Sequence, residues 1–383
     1  MEFKKVRNVL ARSQVIADDI KWRMTQMQNV NRWPSFTSDS RFNQLNKMGL
    51  GMVITYSISQ IYQEKTGRNL DETKFPKLAI LEGMEKVTIS NTPSAQLRWL
   101  SEYDVQLDNL VEMTVKKNFQ NIPDDIWEFL NVDQSSIEAR VFRCAGKLAS
   151  LLELEELSVF INSNSFQQAK DHKEKELDSY KDIMDLIEDD WKIIKPVIEE
   201  ISSGLRNQVR WMMYCRQVNC SVLGHLFETA LMAYIMSLEL GNSEELASRH
   251  FKMGIFHDIA EAWTLDMPSP LKDAVDGLRV ATEKYEEAMM EEHFYNKVPS
   301  YIASAVKAVD FERPENAESR ALIKGADYAS ASLECWKNYL SGTRDFNFRR
   351  AALDTESKML SGTIQVSQIG ALIVSQVAAI LDE

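Results

Sequence analysis

Apolar residues recur at three- and four-residue intervals along much of the chain, the period of a helix that buries one face. The spacing is clear over 148–160, 183–201, 225–240 and 274–294. Alternating β-branched stretches are few, and 14 Gly and 9 Pro in 383 residues are too sparse for a turn-rich sheet protein. The pattern predicts an all-α fold. Residues 167–192 are densely charged, with Lys170-Asp171-His172-Lys173-Glu174-Lys175-Glu176 at their start, and read as a solvated helix or connector. This divides the chain into residues 1–165, a connector at 166–190, and residues 191–383. No run approaches the roughly 18 apolar residues of a membrane span, and Met1-Glu2-Phe3-Lys4-Lys5-Val6 is not a signal-peptide pattern. A cytoplasmic protein is expected.

Composition narrows the functions. A hydrophobic content of 44% is ample for packed cores, and the length suits two ordinary domains. A net charge of −13 argues against nucleic-acid polymers, whose phosphate backbone rewards basic surfaces, but not against a small nucleotide. Cys144, Cys215, Cys220 and Cys335 show no zinc-ribbon spacing and are expected to be free, buried thiols. His172 lies in the charged run, while His250 and His293 have no motif around them, so all three are expected at the surface.

His257-Asp258 is different. Two metal-capable groups stand side by side within Phe256-His257-Asp258-Ile259-Ala260-Glu261-Ala262-Trp263, an otherwise largely apolar stretch. An unpaired carboxylate there would cost several kcal/mol to desolvate, which a divalent cation would offset. His225 precedes the pair and Asp327 follows it, both in apolar helical segments. Two imidazoles and two carboxylates suit one divalent ion taking mixed nitrogen and oxygen ligands, with Co, Mn, Mg, Zn and Fe not distinguished. If 256–263 is one helix, Glu261 lies a turn beyond His257 on the same face, within reach of a bound water. A divalent ion would lower the pKa of that water from 15.7 towards about 7.

The order His225…His257-Asp258…Asp327 resembles the signature of the HD-domain phosphohydrolases, and its surroundings resemble the bacterial HD-domain 5′-deoxynucleotidases. That subgroup carries Arg-Trp ahead of its first metal His, as Arg210-Trp211 stand here, with a further Arg matched by Arg216. Its His-Asp pair is followed by Glu and by Asp-x-Pro-Ser/Thr-Pro, matched by Glu261 and by Asp266-Met267-Pro268-Ser269-Pro270. The resemblance covers roughly 200–340. It implies metal ligation by His225, His257, Asp258 and Asp327, and proton transfer by Glu261 and Asp266. It further implies substrate binding by Arg210, Trp211 and Arg216, with Arg210 on phosphate and Trp211 walling the sugar. The acidic residue the family usually has before its first His is Gly224 here.

The first half reads as a disarmed copy of the second. Arg32-Trp33 matches Arg210-Trp211, residues 81–94 match 256–269, Ile122-Pro123 matches Val298-Pro299, and Glu138-Ala139-Arg140 matches Glu318-Ser319-Arg320, at offsets of 175 to 180. Glu82 then replaces His257, Gly83 replaces Asp258 and Lys86 replaces Glu261. Lys147 falls opposite Asp327, and the partner of His225 falls near Asn46 or Lys47. This copy is expected to bind no catalytic metal, with Lys147 pairing with Glu82 in the vacated place. Because single-copy relatives form homodimers, the resemblance implies tandem HD-like bundles packed as an internal pseudo-dimer, in a monomer or a homodimer. An unrelated helical domain over 1–165 is the competing reading. The expected activity is metal-dependent release of phosphate from deoxyribonucleoside 5′-monophosphates. The alternatives are hydrolysis of deoxynucleoside triphosphates and nucleotide binding without turnover.

Overall fold

The computed structural model describes residues 24–360 apart from 25, 38, 91, 93, 104–108, 266, 268, 273–274 and 344. Among the described residues there is no strand. Two isolated antiparallel bridges, Asn31 with Asn43 and Val209 with Ser221, each close a loop just ahead of a long helix. The amino half contains α1 (Gln44–Thr66), α2 (Lys74–Ile89), α3 (Ser94–Tyr103), α4 (Leu110–Asn118), α5 (Asp124–Leu130) and α6 (Ile137–Leu157). The charged segment forms α7 (Asn164–Leu177) and the start of α8 (Lys181–Asn207). The carboxy half contains α9 (Val222–Glu239), α10 (Glu244–Phe256), α11 (Glu261–Thr264), α12 (Ser269–Lys272), α13 (Leu278–Met290), α14 (Ser300–Lys307), α15 (Ala317–Asn338) and α16 (Phe346–Leu360).

Local chemistry sets the boundaries. Asn43, Ser136, Ser163, Ser221 and Ser243 cap α1, α6, α7, α9 and α10, each side-chain oxygen accepting from the amide three residues on. α1 and α9 are buried around almost their whole circumference, which makes them the two central helices. α1 packs on α6 as α9 packs on α15, and α1 and α9 pack on each other. α8 shows the clean one-sided pattern, burying Ile183, Ile187, Trp191, Ile194, Ile198, Ile201 and Leu205. One apolar core runs from Met24 to Ala352 through both halves.

The seam between α1 and α9 explains two glycines. A side chain at Gly49 would fall on the carbonyl oxygen of Leu223, and one at Gly224 would meet Asn46 Oδ1 at 2.8 Å and Leu45 Cδ2 at 3.1 Å. The acidic residue usual at position 224 in the family therefore has no room here. Ser221 Oγ donates to Asn46 Oδ1 at 2.6 Å across the same seam. Gly49→Ala pushes a methyl group into main chain that cannot yield, and is expected to cost about 3 kcal/mol, read as a lowered unfolding midpoint in denaturant.

Two expectations about side chains change. Cys144, Cys220 and Cys335 are buried, the first two with thiols that burial pushes up to about 12, but Cys215 is exposed on the loop before α9. His250 is 3% exposed rather than at the surface. Its ring nitrogens meet Ser237 Oγ at 2.8 Å and Ser319 Oγ at 3.0 Å, polar partners on α9 and α15 that neighbouring sequence does not reveal. Burial, aided by Arg249, lowers its pKa from 6.5 to about 4. The folded chain therefore resists a proton that the unfolded chain accepts, so His250 costs no stability above pH 6.5 and progressively more as pH falls towards 4. The expected loss is about 3 kcal/mol. In urea titrations at pH 7 and pH 4, His250→Gln should narrow the difference in stability relative to the unsubstituted protein. His172 and His293 are partly exposed, His172 beside Glu176 and His293 stacked on Trp263 at 5.6 Å.

Candidate active site

The expected helix over 256–263 is broken. α10 stops at Phe256, residues 257–260 form a turn held by bonds such as Glu261 N to Asp258 O at 3.1 Å, and α11 starts at Glu261. The cause lies in His257 itself. Its Nδ1 sits 2.7 Å from the carbonyl oxygen of Gly254, the acceptor that a continuing helix would give to the amide of residue 258. Glu261 still follows the pair closely and is buried, although the pair lies on a turn.

This turn faces α9 and α15. His225 Nε2 lies 3.0 Å from Asp327 Oδ1 and 4.0 Å from Asp258 Oδ2, while His257 Nε2 lies 3.0 Å from Asp258 Oδ2. Single donor atoms of His225, His257 and Asp258 fall within 4.8 Å of one another, close enough to share a metal ion, with Asp327 adjoining through His225. The four residues singled out in the sequence thus come together.

The hydrogen bonding fits such an ion. With Nδ1 donating to Gly254, His257 presents a lone pair at Nε2, which is buried with no hydrogen-bond partner among the described residues. Nε2 lies 3.0 Å from a carboxylate oxygen, a contact that a shared proton or a metal ion held by both would stabilise. His225 is oriented similarly, Nδ1 lying 3.2 Å from Glu334 Oε1 and 3.1 Å from Ser330 Oγ, so that Nε2 faces the carboxylates. Burial and Arg210 work against the His225 imidazolium, but Glu334 and Asp327 outweigh them and raise its pKa to about 9. Burial likewise opposes charge on Asp258, yet His257, His225 and Arg210 hold its carboxyl far below the usual range.

Sequence reading missed Glu334. It is fully buried and also accepts from Arg210 Nε at 3.0 Å and Trp211 Nε1 at 2.7 Å. Burial raises its pKa, but Arg210 and His225 prevail and lower it to about 2. A signal was present: Asp327, Ser330 and Glu334 are spaced i, i+3, i+7 on one face of α15. Trp211 takes a left-handed backbone conformation, φ 61°, costly for a bulky residue and sustained by the indole bond to Glu334. Arg216 lies on the same loop and donates to Asn219, whose amide reaches Ser40 in the amino half. Lys324, a turn before Asp327, pairs with Glu312 at 3.1 Å. Burial disfavours its ammonium, but Asp327, Glu312 and Asp258 more than compensate, placing a further cation near the site. Asp266 and Pro268 lie outside the described residues.

The amino half repeats these devices without the ligands. Glu153 accepts from Arg32 Nε at 2.6 Å and Trp33 Nε1 at 2.9 Å, and Trp33 has φ 58°. Ser90 and Leu265, which face each other in the aligned segments, also share positive φ, 52° and 65°. Where lysine was expected to pair with Glu82, the partner is Lys47, at 2.5 Å, and not Lys147. Lys147 pairs with Glu176 at 2.9 Å. Glu153 and Glu334, alike in role, set a register one residue different from that read in sequence, which puts Gly146 opposite Asp327. A side chain at Gly146 would lie 3.0 Å from Lys47 Nζ, just where Asp327 meets His225 in the other half. The place of Asp258 is taken by Met24, whose thioether lies where a side chain at Gly83 would begin.

An all-helical frame carrying His…His-Asp…Asp in this arrangement has the character of the HD-domain superfamily. The particular resemblance is to the YfbR-like family, described as 5′-deoxynucleotidase YfbR-like, whose model matches residues 200–369. Similar curated proteins include a 5′-deoxynucleotidase of Shewanella oneidensis, 25% identical over 149 residues, 38% of this chain and 75% of that protein. The 5′-deoxynucleotidase YfbR of Shigella boydii is 24% identical over 150 residues, 38% of this chain and 74% of that one. A 5′-deoxynucleotidase of Erwinia tasmaniensis is 25% identical over 153 residues, again 38% and 74%. No solved structure matches. Among the described residues no helix is long and apolar enough to cross a membrane.

Proposed function

We propose that the chain is a metal-dependent phosphohydrolase that releases phosphate from deoxyribonucleoside 5′-monophosphates at His225, His257, Asp258 and Asp327. The observation that carries this reading is the hydrogen bonding of the two imidazoles. Nδ1 of His257 donates to the carbonyl of Gly254, and Nδ1 of His225 meets Ser330 Oγ with Glu334 Oε1 3.2 Å away, so both Nε2 atoms face Asp258 and Asp327. A divalent ion held there supplies Lewis acidity and an activated water at neutral pH. The protein residues do the rest. Glu261, buried one turn beyond Asp258, would take and return a proton, with Asp266 as its partner in that role. Arg210, held through Nε by Glu334 and acting electrostatically on Asp258, would meet the phosphate, with Trp211 and Arg216 of the same loop binding the rest of the substrate.

The two halves are proposed to form a duplicated pair, with 1–165 as the inert copy, 166–190 as the connector and 191–383 as the catalytic copy. The paired Arg-Trp-Glu clusters and the packing of α1 against α9 support this. The test is a panel of nucleoside mono- and triphosphates, with manganese, cobalt or magnesium restored after chelation. Free phosphate from deoxynucleoside monophosphates is the expected result. Inorganic triphosphate as product, or no release with any metal, would overturn the proposal.

A further inference from the structure

A cavity of about 790 Å³ opens over the amino half, against the Lys47–Glu82 pair. Six cationic side chains line it: Arg32, Lys47, Lys86, Arg143, Lys147 and Lys173. The carboxylates that answer them are Glu82 and Glu85 in the wall, and Glu153 and Glu176 behind it. Glu176 is shared by Lys147 and Lys173, each at 2.9 Å, and Arg143 donates to the backbone carbonyls of Ala139 and Gln134. Six cations against four anions leave this cavity positive in a chain of net charge −13. Local positive charge of that kind, in a concave site, selects an anion. Trp33, Phe36, Phe142 and Tyr180 add flat apolar surface to the lining, which suits a planar ring beside the anionic group.

We propose that this cavity is a second binding site, for a nucleoside phosphate that it holds without hydrolysing. Lys47 occupies the position corresponding to His225, so an amine paired with Glu82 stands where the other half gathers its proposed metal ligands. An ammonium attracts a phosphate as an ion would, but it carries no coordinated water to deliver, and Lys86 stands where Glu261 would shuttle the proton. That the ligand is anionic rests on the cavity alone. That it is a nucleotide rests on the reading of the carboxy half given above.

The test is calorimetry on the full chain in EDTA, titrating each of the four common deoxynucleoside monophosphates and, separately, inorganic phosphate. The expected result is one nucleotide bound per chain, more tightly than phosphate. Lys86→Ala and Lys147→Ala, both at partly exposed positions, should each raise Kd about tenfold, near 1.4 kcal/mol, while Asp258→Asn leaves this binding unchanged. Circular dichroism of each variant confirms folding. Absence of binding, inorganic phosphate binding as tightly as the nucleotide, or loss with Asp258→Asn but not with the lysine variants would overturn the proposal. Chelator-resistant binding without hydrolysis in the metal panel would sink the catalytic reading and leave this site standing.

Discussion

Asp258→Asn is expected to bring phosphate release to background, a loss of at least about 10³-fold, or roughly 4 kcal/mol of transition-state stabilisation. The carboxylate lies between the two imidazoles, 3.0 Å from His257 Nε2 and 4.0 Å from His225 Nε2. Asparagine keeps the shape but removes the charge that a divalent ion needs and adds a donor group facing a ring nitrogen. Metal content by elemental analysis should fall with activity, while helical content stays the same. Full metal content with full turnover in the variant would remove Asp258 from the site.

Glu334→Ala is expected to have the largest effect on stability. One buried carboxylate bonds Arg210 and Trp211 and lies 3.2 Å from His225 Nδ1, and removing it takes a buried negative charge from beside a guanidinium and an imidazole. Breaking such a cluster from one side costs about 3–5 kcal/mol. The strained backbone of Trp211 loses its anchor as well. Glu334→Gln separates packing from orientation. It keeps the volume and one acceptor, so the chain should fold, while loosening of His225 lowers metal affinity about 10- to 100-fold. Metal titration followed by calorimetry reads this directly. Unchanged affinity in the glutamine variant would show that Glu334 only packs.

The helical class was legible because burial stripes such as Ile183 to Leu205 on α8 follow the helical period for many turns. His225, His257, Asp258 and Asp327 were legible because carboxylates and imidazoles are conspicuous in apolar segments. Features that depend on three-dimensional partners were not. The break after Phe256 arises because a side chain captures a carbonyl, and a periodic pattern carries no trace of that competition. His250 was misplaced because Ser237 and Ser319, which make its burial tolerable, lie on other helices. The identity of the lysine beside Glu82 turned on a one-residue register along α6, which weak identities could not fix. Gly224 departed from the family pattern for a reason visible only once α1 is laid against α9.

The thioether of Met24 lies where a side chain at position 83 would have to grow, which bears on how readily the amino half could acquire metal ligands. A carboxylate at Gly83 would require the flexible end of Met24 to move aside. A smaller residue in place of Met24 would open a void in a tightly packed interior. Lys47, Glu82 and Gly146 would have to change as well before an ion could be held. A metal site in this lobe therefore lies several coordinated substitutions away.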